Sequence, residues 1–290
     1  GVQTCALPIS QGVRIERDAT PSRPNARVAA LVPVLQEAER LRPCLAGLVA
    51  QGDSLQQILV VDVGSTDGTQ SIVHQVAERD LRVRLLNASP LPVGVNGKAW
   101  GLQVALDAAD PTLPWVLVID ADVRPDPELV TSLIAHAERL ELDALSVATR
   151  QEIVGGLQGL LHPSMLTTLV YRYGIPGGAT NDRHEVQANG QCLLVRRDAL
   201  LAVGGFAAVT DEITEDVTLA RLLAQQGTLV GFYESDDLVA VQMHADWRTT
   251  WRDWPRSLAL RDRFWGWNGH LRLTEMTLVQ GLALPLLALG

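Results

Sequence analysis

Eight residues, Trp115-Val-Leu-Val-Ile-Asp-Ala-Asp122, constrain what this chain can fold into more than any other stretch. Five residues suited to a strand buried on both faces end in two carboxylates one residue apart. The acids therefore fall at the strand's carboxyl end, where open α/β sheets bind ligands. Two hard oxygen ligands there can hold Mg²⁺ or Mn²⁺, ions that share their coordination with substrate phosphates and water. For an isolated Asp-x-Asp the plain alternative is an acidic turn with no ligand, so the rest of the chain has to decide.

Strand and helix signals alternate on both sides of this stretch. Residues 28–34 form an apolar run, followed by leucines at helical spacing, Leu41, Leu45 and Leu48. Residues 58–61 are a second strand, 62–69 a polar turn and 70–79 a helix, with Ser65 or Thr66 placed to cap it. A third strand over 83–86 precedes a Pro/Gly-rich loop, 90–97, which delivers Lys98 to the start of a helix over 99–109, where a lysine suits a phosphate. A helix over 127–140 and a strand over 144–148 follow the central stretch. This alternation predicts a mostly parallel central sheet flanked by helices, with Asp62, Asp120 and Asp122 at strand carboxyl ends facing one crevice.

The second half is less regular. Residues 153–171 read as a surface-seeking amphipathic segment, and 187–195 as a stretch containing Gly190 and a short strand. Asp211-Glu-Ile-Thr-Glu-Asp216 leads into a helix over 217–226 and holds more acids than capping needs. Trp247, Trp251 and Trp254 share one helical face beside Arg248, Arg252 and Arg256, a banding suited to a membrane interface. Residues 276–290 are uncharged and apolar, short of the roughly 20 needed to span a bilayer, and are expected to be the start of a transmembrane segment. The first nine residues resemble the translation of a sequencing adapter. The expected organisation is an artefactual or flexible lead over 1–26, a catalytic domain over 27–245, an interfacial segment over 246–272 and a truncated transmembrane segment over 273–290.

Composition narrows the function classes. The net charge of −9 leaves no broad basic surface for nucleic acid. Cys5, Cys44 and Cys192 are too few and too scattered for a zinc site or a disulfide framework.

Four motifs occur in order: Val32-Pro33-Val34-Leu35-Gln36-Glu37, Val60-Val61-Asp62-Val63-Gly64-Ser65-Thr66-Asp67-Gly68-Thr69, Asp120-Ala121-Asp122 and Thr214-Glu215-Asp216. Together they resemble the inverting family 2 glycosyltransferases of GT-A fold over about residues 26–267. The resemblance implies a nucleotide-diphosphate sugar donor, with Asp62 on the base, Asp120 on the ribose and Asp122 on Mg²⁺ or Mn²⁺. It also implies Pro33, Glu37, Lys98 and Arg252 around the donor, and Asp216 as general base beside Glu215. Two departures stand out: Val63 replaces a frequent second aspartate, and the Gln-x-x-Arg-Trp motif of processive synthases is absent, its nearest match being Arg248-Thr-Thr-Trp251-Arg252-Asp-Trp254. Residues 91–100, the Trp/Arg segment and the apolar tail are similar to carotenoid and hopanoid-associated transferases. This implies a membrane-lipid acceptor near Trp251 or Trp254, at the cell membrane with the catalytic domain on the cytoplasmic side. Asp62-Val63-Gly64-Ser65-Thr66 also resembles the phosphate turn of actin-like sugar kinases. A non-catalytic nucleotide-sugar-binding membrane protein and a nucleotidyltransferase are the remaining alternatives.

Overall fold

The computed structural model describes residues 14–18, 27–153, 155–156, 159, 176–235 and 237–242, with single positions and short runs between 247 and 278. Its centre is β1 (Val28–Val34), which runs parallel to β2 (Leu55–Asp62) on one side and to β4 (Trp115–Ile119) on the other; β3 (Val83–Asn87) extends the parallel set beyond β2. Side chains alternate across a strand, so β1 feeds two cores. Val28, Ala30, Val32 and Val34 pack into one, while Ala29 and Leu31 pack into the other. Strand β4 splits in the same way, with Trp115, Leu117 and Ile119 on the first face and Val116 and Val118 on the second. Helices α1 (Leu41–Val49), α2 (Thr69–Ala77) and α4 (Leu129–Arg139) close the first core, and α3 (Gly97–Ala108) helps close the second. The expected layered α/β architecture is therefore present.

The sheet departs from simple alternation beyond β4. Strand β6 (Ala144–Ala148) does not pair with β4, because β9 (Cys192–Arg196) lies antiparallel between them. Strand β10 (Val230–Glu234) then runs parallel to β6, and β8 (Gly178–Thr180) forms an antiparallel edge. A second, three-stranded sheet joins β5 (Val123–Pro125), β11 (Val239–Val241) and β7 (Arg150–Gln151). Helices α5 (Arg197–Ala202) and α6 (Glu215–Gln225), with a 3₁₀ turn over Gly205–Val209 between them, complete the second core.

Two sequence expectations change. Neither Ser65 nor Thr66 caps α2; the cap position is Gly68, and Ser65 Oγ instead accepts a hydrogen bond from the Gln36 backbone N–H at 2.9 Å. Tertiary contact to the loop after β1 thus outcompetes local capping. The alternative actin-like reading needs a hairpin at this turn, whereas β2 and β3, the strands on either side of it, are parallel and the turn enters α2. Trp247 and the Trp251-Arg252 pair are helical and exposed, while Trp254 and Arg256 lie outside the described residues. Apart from isolated positions, so do the segments expected over 153–171 and 276–290. Among the described residues no helix is long and apolar enough to cross a membrane.

One buried histidine gives the fold a pH signature. His136 on α4 is 2% exposed, stacks edge-on against Tyr233 at 4.5 Å, and has Arg139 Nη2 3.0 Å from its Nδ1. Burial, aided by the Arg139 charge, pushes its pKa down to about 4. The unfolded chain therefore binds more protons between pH 6.5 and 4, and stability is lost as pH falls through that window. Urea titrations at pH 7 and pH 4.5 should show His136→Leu losing less stability on acidification than wild type, by about 1 kcal/mol after allowance for screening.

Candidate active site

The carboxyl ends of the parallel strands, the amino end of α3 and the amino end of α6 meet at one place. Asn96 sets the entry of α3: its Oδ1 accepts from the backbone N–H groups of Lys98 and Ala99 at 2.9 and 3.1 Å. That capping places Lys98 in the first helical turn. Its Nζ lies 2.7 Å from Asp120 Oδ1 and 3.3 Å from Glu215 Oε1, and donates to the Gly190 carbonyl at 3.3 Å. Asp216 completes the group, with Oδ2 accepting from the Gly190 N–H at 2.7 Å. Residues from four separate parts of the chain thus converge on one ammonium group.

Gly190 suits this close approach. A Cβ there would stand 3.0 Å from Lys98 Nζ and 3.1 Å from Asp216 Cβ and Oδ2, so the neighbours would have to give by a few tenths of an ångström to accept a side chain. Beneath them Leu102, Val118, Leu193 and Phe206 line an apolar floor, which lowers the local dielectric and strengthens each charge interaction above it. Burial works to lower the Lys98 pKa but is outweighed by Asp120, Glu215 and Asp216, so the net shift is upward and the ammonium stays charged. Burial pushes the Glu215 carboxyl up, Lys98 opposes that, and Asp216 adds to it.

A second group lies next to the first. Asp122 Oδ2 is 3.6 Å from Arg40 Nη1, while Glu37 Oε1 accepts from Arg40 Nη2 at 2.7 Å. Glu37 Oε2 is buried without a hydrogen-bond partner. Burial raises the Glu37 carboxyl to about 7 despite Arg40, with Asp122 contributing in the same direction. Burial and then Asp120 raise Asp122 to about 6, against Arg40 and Lys98. Five carboxylates, Glu37, Asp120, Asp122, Glu215 and Asp216, thus share two cations. A phosphorylated ligand would be repelled from such a surface unless a further cation came with it. Hard carboxylate oxygens that lack enough positive charge suit Mg²⁺ or Mn²⁺. Among the described residues no group of three His, Cys, Asp or Glu side chains is placed to hold a metal ion by itself.

Asp62 ends β2 at 1% exposure. Its carboxylate accepts from the Ser65 N–H at 3.0 Å, from Ser65 Oγ at 2.6 Å and from Gln70 Nε2, and so organises its own turn. Pro33 pairs in register with Val61 on the adjoining strand. Trp251 and Arg252 occupy an exposed helical stretch. Sequence reading missed Arg40 and Asn96. Only Asn96 carried a local signal, as an N-cap residue type directly before a helix; Arg40 is found through its contact with Asp122, distant in sequence.

Comparisons with known proteins agree with this geometry. Residues 29–204 match the family described as Glycosyl transferase family 2. An N-acetylglucosaminyl-diphospho-decaprenol L-rhamnosyltransferase of Mycobacterium tuberculosis is 29% identical over 260 residues, covering 77% of this chain and 80% of that protein. The lipopolysaccharide core biosynthesis glycosyltransferase LpsC of Rhizobium meliloti is 30% identical over 135 residues, 46% of this chain and 45% of that one. Among solved structures, the mannosyltransferase PcManGT of Pyrobaculum calidifontis, in complex with GDP-Man and Mn²⁺, superposes with a TM-score of 0.55 at 23% identity; the match covers 78% of this chain and spans 59% of that one. With the family matched across most of the α/β unit and the strand ends carrying its acids, the chain is a glycosyltransferase of GT-A fold and belongs to glycosyl transferase family 2.

Proposed function

We propose that this chain transfers a sugar from a nucleotide-diphosphate donor to a hydroxyl of a membrane lipid of polyprenoid, carotenoid or hopanoid type, with inversion at the anomeric carbon. The observation that carries this reading is the junction at Lys98, which holds Asp120 from the donor side against Glu215 and its neighbour Asp216. Asp216 is the general base: the acceptor oxygen bonds to the anomeric carbon, its proton passes to Asp216, and the electron pair of the breaking bond leaves with the diphosphate. A single displacement with no enzyme nucleophile inverts the centre. Asp62 acts on the base through the turn it organises, and Asp120 meets the ribose. Pro33, Glu37 and Lys98 border the donor, and Arg252 is drawn to the diphosphate. Asp122 would hold Mg²⁺ or Mn²⁺, which would supply charge neutralisation to the leaving group.

The lipid acceptor rests on two supports. A relative sharing most of its length is named for a decaprenol-linked acceptor. Trp251 and Trp267 are 67% and 76% exposed, an unusual placement for indole in water and a natural one at headgroup depth. In this reading 27–245 is the catalytic unit, 246–272 an interfacial segment with Trp251 and Trp254 near the acceptor, and 273–290 an apolar segment directed into the membrane. The site then faces the cytoplasm at the cell membrane.

The test is transfer from a panel of UDP- and GDP-sugars to polyprenyl and carotenoid acceptors in vesicles, with Mn²⁺ or EDTA. The expected result is nucleoside diphosphate release matched one to one by glycosylated lipid of inverted configuration, reduced at least roughly 100-fold by EDTA. Release of pyrophosphate, or tight donor binding with no lipid product for any acceptor, would count against it.

A further inference from the structure

Arg263 belongs to the Trp-rich stretch yet reaches the loop that precedes the Asp216 helix. Its Nε donates to Glu212 Oε1 at 2.7 Å, while its Nη2 donates to Asp211 Oδ1 at 2.6 Å and to the Ala208 carbonyl at 2.8 Å. Glu212 is 8% exposed, while Arg263 and Asp211 keep 36% and 75% of their side-chain surface open to water, so the Glu212 contact is half-shielded and the Asp211 contact is a surface ion pair. Next to Arg263, the ring of Phe264 lies under the Arg183 guanidinium at 5.8 Å, a second and independent attachment of the same stretch. The clasped loop is tied onward to the site. Asn96 donates its backbone N–H to the Thr210 carbonyl at 2.6 Å and its Nδ2 to the Glu212 carbonyl at 2.8 Å, while its Oδ1 caps the helix that carries Lys98.

We propose that Arg263 is a positioning residue: by clasping Asp211, Glu212 and the Ala208 carbonyl, it fixes the 210–214 loop so that Glu215 and Asp216, at the start of α6, stand against Lys98 and Gly190. It never touches the reacting atoms. Its consequence is that the order of the loop leading into the base-bearing helix depends on the Trp-rich segment being seated, which, on the proposed reading of that segment as interfacial, links membrane attachment to turnover.

The test compares Arg263→Ala, Arg263→Lys and Glu212→Gln with wild type in the full chain. Amide hydrogen exchange is expected to quicken across residues 210–217 in Arg263→Ala while the β4 amides stay unchanged, with an intermediate effect in Glu212→Gln, which keeps an acceptor but loses the charge. In the transfer assay kcat should fall about 10- to 100-fold, as expected for misplacement of a reacting group, with donor KM within about twofold, and Arg263→Lys should restore part of it. Unchanged exchange at 210–217 overturns the clasp whatever the activity. Absence of transfer by the wild type would instead count against the proposed function, and exchange alone would then decide this inference.

Discussion

Asp216→Asn is expected to lower kcat by roughly 10²- to 10⁴-fold, the usual contribution of a positioned base, while donor affinity stays close to that of wild type. The substitution keeps shape and removes basicity. An asparagine amide oxygen can still accept from the Gly190 N–H, now met at 2.7 Å by Oδ2. The second interaction, Oδ1 with the Val217 N–H at 2.8 Å, is then faced by an NH₂ group and lost. Losing one such bond at a helix end costs about 1 kcal/mol, too little to unfold the domain. Steady-state kinetics with saturating donor, paired with calorimetric titration of the nucleoside diphosphate, separate the two effects. Turnover equal to wild type would remove Asp216 from the chemistry and shift attention to Glu215, its neighbour on the same ammonium.

What the sequence disclosed follows the range of the forces that decide each feature. Strands β1, β2 and β4 are legible because burial on both faces demands unbroken apolar runs, and their carboxyl ends follow from the parallel connections. The acids that terminate them are legible for the same reason. Strand β9 is legible as a short strand within 187–195, but nothing in its apolar run tells that it pairs antiparallel with β4 and displaces β6 from that edge. Strands β10 and β11 were passed over because Gly231 and the short span of Val239–Val241 give no alternation to read.

The site shows the same division. Asp120, Asp122, Glu215, Asp216 and Lys98 stand out by type and place, and the structure gathers Asp120, Glu215, Asp216 and Lys98 around one another, while Asp122 pairs with Arg40, which also holds Glu37. The partners that hold them were invisible. Arg40 looks like any charged residue ahead of a helix, and Arg263 like one more arginine in a basic stripe, because an ion pair leaves no mark in the sequence around either member. Ser65 illustrates the converse error, since its local capping potential was real but the loop after β1 offered a competing partner.

The largest combined effect on rate and stability is expected from Lys98→Met. The methionine fills nearly the same volume over the apolar floor of Leu102, Val118 and Phe206, so packing changes little and charge changes fully. Asp120 and Glu215, now held 2.7 and 3.3 Å from a shared cation, would face each other without it. Breaking a fully buried pair costs about 3–5 kcal/mol; with Lys98 and Asp120 each about a quarter exposed, the expected loss is nearer 1–2 kcal/mol. Because the carboxylates can escape repulsion by taking up protons, the deficit should shrink as pH falls from 8 to 5, which urea titrations at the two values would register. Transfer should fall at least roughly 100-fold, since the donor-side and base-side acids lose their common anchor. Adding Glu215→Gln to Lys98→Met relieves the repulsion and should recover most of the stability without recovering transfer. A double variant as active as wild type would mean that Lys98 serves the fold alone, while a single variant as stable at pH 8 as wild type would mean that water already screens the cluster.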